Sequence, residues 1–136
     1  MSKSNATESD FLSLAFTATA LSWAAATELD IHLHTADPGE AGSQTTSEAT
    51  YGSYARVTVS RNSGGWTVTG NSVANTALVQ FPQCTSGSNT LTHFAVGTAT
   101  SGAGQILYSG ALNASLSVSS GIQPQFAAGA LTVTED

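Results

Sequence analysis

From Asn62 to Thr134 the chain contains no Asp, Glu, Lys or Arg, a run of 73 residues in a total of 136. So long an uncharged segment either crosses a membrane or folds into sheet. A membrane helix needs about 18 consecutive apolar residues. Here the apolar residues are interrupted throughout by Thr, Ser, Asn, Gln and Gly. In a strand that alternation makes one apolar face and one neutral polar face. All nine carboxylates lie at Glu48 or earlier or at Glu135 and Asp136, and the cations are Lys3, Arg56 and Arg61. Charged residues amount to 9%, against about a quarter in an ordinary soluble domain. Such a surface suits contact with copies of the chain or with a fixed partner, because a charge buried in an interface needs a mate.

The net charge of −6 and the single lysine argue against nucleic-acid binding, which relies on neutralising phosphates. One domain fits the length, and such a chain buries enough surface to fold without disulfide or metal. Cys84, the one cysteine, has no internal partner. The opening MSKSNATESD lacks the basic and apolar regions of a signal peptide.

Residues 1–9 read as a flexible polar arm and 10–136 as a single β-sandwich domain. Phe11, Leu14, Ala15, Ala18, Leu21 and Ala25 recur at helical spacing from Asp10 to Thr27. Thr7 is a candidate cap, and the Thr and Ser content leaves an extended conformation as the alternative. From Glu28 the period becomes two, with Leu29, Ile31 and Leu33 alternating with Asp30, His32 and His34. Asp37-Pro38-Gly39 ends that strand in a turn, and a polar loop runs to about Gly52. Further strands are predicted at 54–61, 66–69, 74–81, 90–99, 106–112, 115–118 and 125–134, separated by Gly, Ser and Asn clusters. The expected fold is all-β, a sandwich or jelly roll of about eight antiparallel strands with a short N-terminal helix.

His32-x-His34 is the sharpest chemical signal, since residues two apart on a strand share a face and can reach one metal. Cupin jelly rolls use His-x-His followed by a glutamate, for which Glu40 stands, with His93 as a further ligand. The segment around His93 lacks the second cupin motif, and the turn at 37–39 carries Glu40 away from the strand. The plainer reading puts His32 and His34 on the solvent or partner face. Asp30 then points outward, Asp37 opens a turn, and Cys84 is an inert thiol with no cation near it in sequence. Trp23, Trp66, Tyr51, Tyr54 and Tyr108 either line a sugar-binding face or anchor core and interface. No nucleophile elbow or P-loop occurs. We expect no enzyme, no catalytic or metal-binding residues and no cofactor.

Several segments resemble, in order and spacing, a family of tailed-phage virion proteins. They are His34–Gly42, Tyr51–Val57, Asn75–Ala77 leading to Phe81-Pro82, Leu91–Phe94, Leu107–Leu112 and Phe126–Val133. Members are often labelled tail fibre proteins, and the better-understood relatives are capsid cement, or decoration, proteins. The resemblance implies a virion protein on the capsid exterior, made in the host cytoplasm. Its partners would be the major capsid protein and other copies of itself as a dimer or trimer. A tail- or fibre-associated structural protein is the alternative, and a cupin-like metal-dependent enzyme the distant one.

Overall fold

The computed structural model describes residues 2–136. Ten strands and one helix follow in the order β1 Ser2–Lys3, α1 Asn5–Thr17, β2 Glu28–His34, β3 Val57–Ser60, β4 Trp66–Thr69, β5 Ser72–Asn75, β6 Val79–Gln80, β7 Asn89–Gly97, β8 Ile106–Val118, β9 Gln125–Phe126 and β10 Thr132–Thr134. All pairings are antiparallel. One sheet runs β1-β8-β7-β2-β3, a second β10-β5-β4, and β6 pairs with β9. The expected all-β sandwich is the observed one.

Alternation builds the core. Ile31 and Leu33 of β2 sit opposite Val96 and Phe94 of β7, so all four side chains leave the sheet on the same face. They are buried with Leu91 of β7 and with Val79, Phe81, Leu131 and Val133 from the opposite layer.

Two predicted strands each break in two, and one residue accounts for both breaks. Buried Asn75 donates from Nδ2 to the carbonyls of Ala77 and Ala127, and its Oδ1 accepts from Leu131 N–H at 2.9 Å. Its side chain thus holds both chains where they leave the ladder, separating β5 from β6 and β9 from β10. The strands expected at 106–112 and 115–118 instead form one, β8. Against β7 it is bulged: Leu91 faces Leu116 and His93 faces Ala111, so four residues of β8 stand opposite Thr92.

The N-terminal segment also differs. The helix is 5–17 rather than 10–27, and Ser4, not Thr7, is its N-cap. Residues 2–9, expected as an arm, provide β1 and the first helical turn, with Ser4 and Thr7 buried against the Ile106 carbonyl. Ala18 ends the helix in the left-handed region at φ 54°, and the polar Thr/Ser run beyond it does little to extend a helix. Arg61 Nη1 gathers the carbonyls of Trp23, Ala24 and Ala26 in the turns that follow.

Leu33→Ala should lower stability by about 2–5 kcal/mol in denaturant melts. Leu78→Ala, at a half-exposed position, should stay within about 0.5 kcal/mol of the parent.

Candidate functional site

Three regions concentrate the chemistry the sequence singles out: the histidine face of β2, an aromatic cleft and the outer edge of β8.

The expectation that His32 and His34 face solvent or a partner is wrong. Both are fully buried, and so is Asp30. Central strand β2 is covered on both sides, because loop 35–56 folds back over the polar face. Buried Gln44 locks that loop in place. Its amide exchanges two hydrogen bonds with the backbone of Ala99, and its backbone N–H donates to Gly104. A Cβ at Gly104 would lie 1.9 Å from Gln44 Oε1, so only glycine lets this side chain approach. Glu48 on the same loop holds Arg56 through two oxygens, at 2.7 and 2.8 Å. Arg56 also donates to the carbonyls of Ala99 and Gly102.

The histidines form a short directed chain. His34 Nδ1 lies 2.8 Å from the Thr46 carbonyl, which can only accept, so Nδ1 carries the proton. Burial keeps His34 neutral, outweighing the upward pull of the Thr46 hydrogen bond and of Glu48. Its Nε2 therefore accepts from His32 Nδ1 at 2.6 Å. His32 Nε2 is left as a buried lone pair with no donor among the described residues. Burial first, then His34 and Arg56, push the His32 pKa down to about 2.

His93 stands opposite His34 in the ladder, but its Nδ1 is engaged by Thr92 Oγ1 at 2.8 Å. Glu40 lies beside the helix N-terminus, where its carboxylate accepts from Ser2 and its carbonyl from Asn5 N–H. Among the described residues no three His, Cys, Asp or Glu gather in a metal-binding arrangement. Asp30 accepts from Thr58 Oγ1 at 2.7 Å, a buried role where an outward one was expected. Asp37 Oδ1 takes Gly39 N–H at 2.9 Å, as a turn residue does. Buried Cys84 donates to the Ser86 carbonyl.

The aromatic residues divide. Tyr51 and Tyr54 pack edge to face in the core. Trp23, Trp66 and Tyr108 converge on an open cleft of about 570 Å³ at the far side of the sandwich. Leu29, Val68, Val73 and Val133 also line it, and Arg61 stands over the Trp23 ring at 5.1 Å. Trp66 Nε1–H has no acceptor among the described residues. Helix α1 leaves Leu12 and Phe16 in solvent, Phe16 at 83% exposure. This pair lies four apart, on a different stripe from the Phe11–Leu14–Ala15–Ala18 row read as the packed face. The second stripe was a signal available in the sequence.

The third region is the outer edge of β8. Strand β1 covers it only at Tyr108 and Ser109. Beyond them, among the described residues, no strand pairs with that edge. It carries no charge and no proline through Val118, the devices that ordinarily keep an edge from pairing.

Residues 2–134 match the family model described as Podophage GP4 fiber I protein gp80. No curated protein shows significant similarity to the chain.

The buried histidines carry a measurable signature. Both pKa values are lowered on folding, so below the unfolded value the unfolded chain binds more protons. Stability should hold above about pH 7.5 and decline below about pH 6.5, by up to about 1.4 kcal/mol per pH unit for each histidine kept neutral. Urea midpoints between pH 8 and 5 should trace that loss, and His32→Asn should flatten it. From its burial and two hydrogen bonds, His34→Ala should cost about 2 kcal/mol or more, rather than the small penalty expected of an outward position.

Proposed function

Because the chain belongs to the podophage GP4 fibre I protein gp80 family, we propose that it is a non-enzymatic subunit of a virion fibre, held there by contacts with copies of itself. Family membership makes it a phage structural protein of the virion. The match over residues 2–134 supports the fibre reading through the family's description as a fiber protein. The sequence resemblance puts the capsid exterior and the major capsid protein first; the family's description favours the fibre.

The distribution of charge supports a role in assembly. Each of the three cations is used inside the fold: Lys3 with Glu135, Arg56 with Glu48, and Arg61 on three carbonyls. Uncharged sheet surface and an unguarded edge remain for neighbours, and a contact made there sets no charge against a like charge although the chain as a whole carries −6. The groups best suited to chemistry, His32, His34 and Cys84, are buried.

Reconstruction of the intact virion tests the location. Density for this fold is expected in a tail-associated fibre; density spread over the capsid lattice would overturn the fibre in favour of decoration. Self-association of the purified chain should survive from about 0.05 to 1 M salt, since a contact made mostly of uncharged surface offers little for ions to screen.

A further inference from the structure

We propose that the chain carries both halves of one self-assembly contact: the Phe16 end of α1 in one copy seats in the Trp23–Trp66–Tyr108 cleft of another. This rests on the reading of the chain as a self-associating virion subunit and identifies the surface involved.

The two halves match in three respects. The first is apolar area. Phe16 is 83% exposed and Leu12, one turn earlier, 60%; both are large side chains on a helix whose only buried residue is Thr7. The cleft, of about 570 Å³, has aromatic and branched aliphatic walls and is open at its mouth, where Val68 is 73% exposed. A bulky ring entering a preformed apolar site loses little entropy of its own.

The second is hydrogen bonding. Trp66 Nε1–H is buried without an acceptor among the described residues, a costly state for an indole donor. The last carbonyls of a helix lack intrahelical donors. Here the Ala18 and Thr19 N–H groups both turn to Ser13, and the Phe16 and Thr17 carbonyls receive no backbone donor among the described residues. A donor without an acceptor lies in the cleft, and acceptors without donors lie beside the knob.

The third is charge. The C-terminal end of a helix is electronegative, and α1 has no basic residue in its last turn to offset it. Arg61, at the cleft, supplies the cation. One chain thus displays a knob and a cleft that fit each other, so a second copy is the occupant that needs nothing else.

Both positions are exposed enough to change without harming the fold. In sedimentation equilibrium the parent should associate with increasing concentration. Phe16→Ser, which removes the knob, and Val68→Lys, which blocks the cleft, should each raise the association Kd about tenfold or more, with melting temperatures unchanged. Mixed one to one, the variants should associate more tightly than either alone, because the intact knob of Val68→Lys meets the intact cleft of Phe16→Ser. Variants that associate like the parent would overturn this contact and leave the fibre reading standing. Variants that weaken association singly without recovery on mixing would overturn the pairing of knob with cleft. A parent that stays monomeric to about 1 mM would overturn self-assembly itself.

Discussion

A strand covered on both faces has no water to lean on, so each polar atom it buries needs a partner from the chain itself. Strand β2 is in that position, and much of the molecule is arranged around its needs. Loop 35–56 supplies the Thr46 carbonyl to His34, β3 supplies Thr58 to Asp30, and Tyr54 accepts from the Leu33 N–H while donating to Glu48. The loop stays down because Gln44 and the Arg56–Glu48 pair tie it to the segment between β7 and β8. Breaking that ion pair at one end would leave a buried charge unmatched, which is far more damaging than losing an exposed bridge.

This also explains what could be read from the sequence. Period-two patterning disclosed β2, β4 and β7 and the face that makes the core, because only neighbouring positions along the strand are involved. It misjudged the opposite face. Whether Asp30, His32 and His34 meet water depends on a loop that is polar throughout and gives no hydrophobic signal that it will pack. The breaks at Asn75 were hidden for a similar reason: a side chain bonded to Ala127 and Leu131 acts across more than fifty residues. The helix starts earlier than its apolar period because Ser4 caps it through the Thr7 N–H, while the Ile106 carbonyl that holds both hydroxyls comes from a strand about a hundred residues away.

The candidate sites follow the same division. His32 and His34 were picked out by spacing, and the fold does bring them together, but as a closed internal pair. The convergence of Trp23, Trp66 and Tyr108 could not be read from scattered positions, since Trp23 follows a helix while the other two lie in different sheets. Family membership accounts for the absence of charge in a way the isolated domain does not. A virion subunit is solvated partly by its neighbours, and hydroxyls and amides can meet either water or another copy at similar cost.

Strand β10 closes the second sheet against β5, and its Val133 is part of the core. Two residues later Glu135 reaches back across 132 positions to Lys3 and also receives the Tyr108 hydroxyl. The apolar layer therefore has no complete wall until β10 is in place. During synthesis the sandwich stays unfinished until β10 is made, so packing of the whole core waits on a strand paired across the chain with β5. Until then the outer edge of β8, covered by β1 only at Tyr108 and Ser109, lies beside a core that is still open, the state in which an unguarded edge is most apt to pair wrongly.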